Sequence, residues 1–173
     1  MSLESKKIGY NIALCGFMGC GKSTVGKELA KLIKMDFIDI DTYIESKENM
    51  TISKIFRLKG EKYFRKLETK AILNLELKPY KVIALGGGSL LNSENVEVLK
   101  RTSKIFFLIA SKEVIVERLR YDNSRPLLNV GEREKVLSEL YDERFRIYRD
   151  NADFTIDANG NISKIISDVL ALI

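Results

Sequence analysis

The chain contains no histidine in 173 residues. Imidazole is the side chain whose ordinary pKa lies closest to neutrality, so any general base here must be a carboxylate or another group. Only two cysteines are present, Cys15 and Cys20, and their spacing suits no common metal motif. They flank a glycine-rich turn that a disulfide would distort, so Cys15 reads as a small core residue. Cys20 occupies a free position of the turn, where the sequence predicts a reagent-accessible thiol with thiolate character from a following helix N-terminus. The longest apolar run falls far short of the roughly 20 residues a membrane span needs. The opening MSLESKKIGY has no hydrophobic region of the secretory type, and together these absences predict a cytoplasmic protein with no membrane partner. No internal repeat, low-complexity tract or linker interrupts residues 1–173, which are expected to form one domain. A domain of this length buries about 70% of its unfolded surface.

What is present is ordinary in bulk: 45% hydrophobic and 31% charged residues, with a net charge of +5. The lysines are spread along the whole chain, which describes a solvated surface, and no DNA- or RNA-binding motif accompanies them. Anionic small molecules are the expected partners, not nucleic acid. One stretch names the anion. Residues 16–23 read GFMGCGKS, matching G-x-x-x-x-G-K-[ST], the loop that curls backbone N–H groups around phosphate. Gly19, Cys20, Gly21 and Thr24 are expected to contribute main-chain contacts. Lys22 reaches the terminal phosphates and the Ser23 hydroxyl is placed to ligate Mg²⁺. NIALC before the loop reads as a buried strand. TVGKELAKLI after it reads as a helix with Val25, Leu29, Leu32 and Ile33 on one face, so phosphate would sit at a helix N-terminus.

Further along, Asp36 to Ile40 reads as a second strand whose end carries Asp39 and Asp41, on one side if the chain stays extended. These carboxylates are either ligand groups at a strand's C-terminal end or turn and N-cap chemistry, the cap falling at Asp41. Two helical segments follow, one from a Thr51 cap to Gly60, the other running to Pro79. Arg65 and Glu68 sit three apart on the second, where they can pair. The third strand, Val82 to Leu85, runs into Gly86, Gly87 and Gly88, a tight turn or a place where backbone approaches a ligand. It ends without the Mg²⁺-orienting aspartate that many such enzymes carry there, which makes Asp39 the nearest substitute. After a fourth strand and a helix capped by Ser111, YDNSRPLLNVG with its single Arg125 is the best lid segment. In the next helix Arg144 shares the apolar stripe of Leu137, Leu140 and Tyr141, either snorkelling or facing an anion. A fifth strand and a closing amphipathic helix complete one α/β domain with a parallel sheet.

Six short strings occur in order: GFMGCGKST, DIDTYIE, FRKLE, GGG, RPLL and ERFRIYR. In that order and at these intervals the chain resembles the shikimate kinases, from the phosphate loop nearly to the C-terminus. The resemblance implies a three-layer P-loop fold, a five-stranded parallel sheet flanked by helices, of the nucleoside-monophosphate-kinase type. It also implies a mobile lid near residues 121–131 and a helical substrate-binding region near 42–78. The implied reaction is Mg²⁺-dependent transfer of the ATP γ-phosphate to the 3-hydroxyl of shikimate, a step toward chorismate and the aromatic amino acids. A cytoplasmic monomer is expected. Carried over by position, Lys22 contacts the phosphates, and Ser23 and Asp39 serve the metal. Asp41 binds ring hydroxyls and takes or orients the proton of the attacking hydroxyl. Arg65 and Arg144 grip the substrate carboxylate, the Gly86–Gly88 backbone meets the ring, and Arg125 stabilises the transferred phosphate. Two departures stand out: Arg146 replaces a proline common in the family, and DANGNIS lacks an arginine that often lies against adenine. The rival readings are another small-molecule P-loop kinase, such as a gluconate kinase, and a nucleotide-binding module without catalysis.

Overall fold

A computed structural model describes residues 8–76, 80–120 and 133–173. Five strands form one parallel sheet: β1 (Asn11–Cys15), β2 (Asp36–Asp39), β3 (Lys81–Ala84), β4 (Ser103–Ile109) and β5 (Phe154–Asp157), in the order β2-β3-β1-β4-β5. The central β1 is buried along its whole length, as an apolar run covered on both faces must be. Its register against β3 (Ile12 beside Val82) and β4 (Ile12 beside Lys104) fixes the middle of the molecule. Helices cover the sheet: α1 (Lys22–Ile33), α2 (Ile40–Glu48), α3 (Ile52–Lys59), α4 (Glu61–Glu76), α5 (Ser93–Thr102), α6 (Lys112–Leu119), α7 (Arg133–Asn151) and α8 (Ile162–Leu170). The core joins Ile12, Leu14, Leu29, Ile83, Phe106 and Phe107.

The strand order also locates the site. The connection leaving β1 crosses toward β2, whereas the connection leaving β3 returns across β1 toward β4. The crevice at the carboxyl ends of β1 and β3 is therefore the topological switch point, where open α/β sheets bind ligands. The phosphate loop follows β1 and the triglycine turn follows β3, so both converge there.

Local sequence chemistry sets most helix ends. Thr51, Ser111 and Asn161 accept hydrogen bonds from Lys54, Val114 and Lys164 N–H at 3.3, 3.3 and 2.9 Å. Gly60 stops α3 with φ 79°. Two expectations need correction. The second strand ends at Asp39 and α2 begins at Ile40, so Asp41 lies in a helical first turn and the cap is Asp39. Leu32, placed on the buried face of α1, is 61% exposed, while Val25 and Leu29 are buried. Helix α7 continues past the exposed Arg146 to Asn151, because an arginine there supplies the N–H that a proline would lack. The expected lid, with Arg125, lies outside the described residues.

Candidate active site

A cleft of about 690 Å³ opens at the switch point, walled by the phosphate loop, Asp39, Asp41, Gly87 and the start of α8. The loop is shaped by glycines at positive φ: Gly16 at 142°, Gly19 at 79° and Gly21 at 100°. At Gly16 a Cβ would stand 2.6 Å from the Leu108 carbonyl oxygen, so no larger residue fits. Gly21 caps α1 without a side-chain hydrogen bond, which leaves the first amides of that helix for an anion. Lys22 Nζ donates to the carbonyls of Gly16 at 2.8 Å and Phe17 at 3.1 Å, holding its charge within the loop.

Cys20 corrects the sequence reading. It is 1% exposed, and its sulfur lies beneath the loop, 2.8 Å from where a Gly16 Cβ would be. The local sequence could not show this, because the curl of the loop turns the thiol inward. Its backbone still lines the cleft. Burial also drives the Cys15 thiol far above its ordinary pKa.

Ser23 Oγ donates to Asp39 Oδ2 at 2.5 Å, while Asp39 Oδ1 accepts the Thr42 N–H at 3.1 Å. The aspartate therefore joins the loop to the helix bearing Asp41. Among the described residues no three His, Cys, Asp or Glu side chains gather into a metal cluster. A hydroxyl and one carboxylate form an all-oxygen pair that fits Mg²⁺, which keeps most of its waters and takes few protein ligands.

The triglycine turn is bounded by charge. Arg65 Nη1 bonds Glu68 Oε2 at 2.9 Å and Arg65 Nη2 bonds Glu61 Oε1 at 2.9 Å. Burial opposes the Arg65 charge, yet Glu68 and Glu61 outweigh that cost and hold its pKa above the ordinary value. Glu68 is fully buried, and its second oxygen accepts the Ser89 hydroxyl at 2.7 Å. A side chain at Gly86 would collide with Glu68 Oε1 and stand 2.8 Å from Asp41 Oδ1; one at Gly88 would stand 2.5 Å from Arg65 Nη2. Each glycine exists to let a charged group in.

Arg144 is different. It is 4% exposed and makes no ion pair among the described residues. Its Nη1 donates to the Gly87 carbonyl at 3.2 Å, and the Tyr148 hydroxyl donates to the same oxygen at 2.5 Å. The snorkelling alternative is thereby set aside for a buried cation beside the triglycine turn.

Of the expected residues, Gly19, Cys20, Gly21, Lys22, Ser23, Thr24, Asp39, Asp41 and Gly87 line one cleft. Gly86 and Gly88 complete the triglycine turn, with Arg65 against Gly88 and Arg144 against Gly87. Three participants were missed. Glu68 was seen only as a surface partner of Arg65. Tyr148 carried one signal, its position one turn after Arg144. Arg118 closes the other end of the cleft, donating to the carbonyls of Gly19 at 3.2 Å and Ala158 at 3.1 Å. It carried none, since a lone arginine in a helix's last turn is common.

The fold and this site define a P-loop kinase of the nucleoside-monophosphate-kinase type, acting on a hydroxyl group of a small molecule. Comparison with known proteins narrows the class. The family model for shikimate kinase matches residues 18–173. A shikimate kinase of Thermodesulfovibrio yellowstonii is 46% identical over 150 residues, covering 87% of this chain and 86% of that protein. The structure of an Acinetobacter baumannii shikimate kinase in complex with shikimate is 37% identical, with a TM-score of 0.90, covering 94% of this chain and 92% of that one. A Sinorhizobium meliloti gluconokinase, 18% identical with a TM-score of 0.62 over 94% of this chain and 90% of that one, shares the fold alone. The chain belongs to the shikimate kinase family.

Proposed function

We propose that the chain transfers the γ-phosphoryl group of ATP to the 3-hydroxyl of shikimate, giving shikimate 3-phosphate and ADP. The observation that carries this reading is Arg144, a buried guanidinium with no carboxylate partner among the described residues, bonded to the carbonyl of the cleft-lining Gly87. A buried cation stands unpaired at considerable cost unless its anion arrives as ligand. The planar carboxylate of shikimate suits an arginine fork, and Arg65, already pinned by Glu61 and Glu68, offers a rigid second edge. The Gly87 carbonyl is filled by two donors, so the group left to a ring hydroxyl is the Gly87 N–H.

At the donor end, the loop amides and Lys22 hold the phosphates. Lys22 must leave the Gly16 and Phe17 carbonyls to do so. Ser23 and Asp39 would hold Mg²⁺, which neutralises phosphate charge when bound. Arg118 and the turn between β5 and α8 frame the base, and Arg125 completes the phosphate contacts. Asp41 lies between the halves, on the cleft wall. In the reaction a bond forms from the 3-oxygen to the γ-phosphorus as the β–γ bridging bond breaks, and Asp41 orients the hydroxyl and accepts its proton. With the transition state loose, most of the acceleration comes from alignment and charge neutralisation. No described helix is long and apolar enough to cross a membrane. The proposed enzyme works as a cytoplasmic monomer, as one domain, on small molecules alone.

A coupled assay of ADP release with shikimate, quinate, gluconate and AMP tests this. Shikimate should stimulate release well beyond the other three. Preference for gluconate or AMP would move the chain to another kinase specificity, and no acceptor-stimulated release would leave a binding module.

A further inference from the structure

Tyr148 is 2% exposed, and burial raises its hydroxyl pKa well above the ordinary phenol value, so it stays a donor. It lies one helical turn after Arg144 on α7, and both side chains reach a single acceptor, the Gly87 carbonyl. The tyrosine ring is braced from behind. Phe107 of β4 packs on it at 5.3 Å between centroids, and Phe145 packs edge-on to Phe107 at 5.3 Å. A ring clamped on a central strand leaves its hydroxyl few alternative positions. Arg144 bonds the oxygen that Tyr148 holds and lies beside the tyrosine hydroxyl itself.

We propose that Tyr148 is a positioning residue of the acceptor site, whose buried hydroxyl locks the Gly87 carbonyl so that Arg144 and the Gly87 N–H meet the substrate as a preset pair. This rests on the shikimate reading above. The carbonyl has room for two donors, and the tyrosine sets where the oxygen stands. Without that hydroxyl the peptide plane can rotate about its flanking bonds. Both the guanidinium and the amide then lose their aim. Among the described residues the Gly87 carbonyl takes its side-chain hydrogen bonds from α7 and none from the phosphate loop, so the effect should fall first on the acceptor.

The test is steady-state kinetics on Tyr148→Phe, alone and combined with Arg144→Ala, with ATP and shikimate varied separately. One lost hydrogen bond predicts a rise of about three- to tenfold in KM for shikimate, with KM for ATP unchanged. In the Arg144→Ala background the same change should add little, because the tyrosine acts through the arginine. Gly87→Ala fills the junction from the other side, its methyl in contact with Arg144 Nη1 at 3.4 Å and the Tyr148 hydroxyl at 3.8 Å. It should raise the same KM. A shikimate KM within about twofold of the parent for Tyr148→Phe overturns the proposal. So do additive effects of the two changes, or a loss confined to melting temperature. If Tyr148→Phe proves unstable, its constants are read well below its melting range against the parent at the same temperature, and an unchanged shikimate KM there overturns the proposal. Turnover of shikimate by the parent enzyme, measured first, separates these outcomes from failure of the functional reading itself.

Discussion

Replacing Arg65 by alanine should injure the fold as well as the reaction, because Glu68 depends on it. Glu68 is fully buried, and its carboxylate is shared between Arg65 Nη1 and the Ser89 hydroxyl. Removing one partner of a buried ion pair typically costs about 3–5 kcal/mol. Ser89 remains and the Arg65 side chain is 22% exposed, so the cost falls to that lower limit or somewhat below it, about 2–3 kcal/mol. For a domain of this size each kilocalorie moves the melting midpoint by about 2–4 °C, so Arg65→Ala should melt about 4–12 °C below the parent. Thermal unfolding followed by circular dichroism reads this directly. Adding Glu68→Gln to Arg65→Ala removes the stranded charge and should recover at least part of the loss. Arg144→Ala strands no carboxylate and should melt close to the parent, while losing about 10- to 150-fold in kcat/KM for shikimate. An Arg65→Ala protein melting within about 2 °C of the parent would refute the argument, since Glu68 would then have no need of its cation.

Other outcomes follow from the same contacts. Gly86→Ala places a methyl where Glu68 Oε1 and Asp41 Oδ1 converge, and turnover should fall by at least about a hundredfold with nucleotide binding retained. A thiol titration of the native enzyme should register neither Cys15 nor Cys20, both buried, with both appearing in denaturant; one reactive thiol in the native state would restore an outward Cys20. The Lys59 ammonium donates to Glu48 and holds its carboxyl below the ordinary value. A depressed folded pKa adds stability above the unfolded pKa and loses it as pH falls through the folded one. The melting gap between the parent and Glu48→Gln should therefore close as pH falls from about 6 to about 3. A gap constant over that range would exclude the linkage.

The residues legible in the sequence are those whose role is set by near neighbours. The phosphate loop, the Thr51 and Ser111 caps and the Arg65–Glu68 pair all depend on spacing of seven residues or fewer. Asp39 and Asp41 were legible as two carboxylates at one strand end but not as a geometry. A strand of four residues gives periodicity too little length to mark where extension yields to helix. Cys20 and Leu32 failed in opposite directions for one reason: the loop's curl and the neighbours of α1 decide which way a side chain points. Arg144 showed its oddity as a charge on an apolar stripe. Its partner carbonyl lies 57 residues away, and Tyr148 meets that same carbonyl from 61, so only the fold unites them.

Asp39 makes one side chain answerable to two tasks. Its Oδ2 accepts the Ser23 hydroxyl and its Oδ1 caps the helix that carries Asp41. An alanine there would erase both at once, and a poor enzyme would not reveal which loss mattered. Asparagine separates them: its amide oxygen caps as well as a carboxylate does, where a lost cap costs about 1 kcal/mol. What fails in Asp39→Asn is thus attributable to charge, and what fails further in Asp39→Ala to the seating of α2. The helix that carries Asp41 is capped by the same aspartate that the phosphate loop's Ser23 hydroxyl reaches, so the two sides of the cleft share one joint.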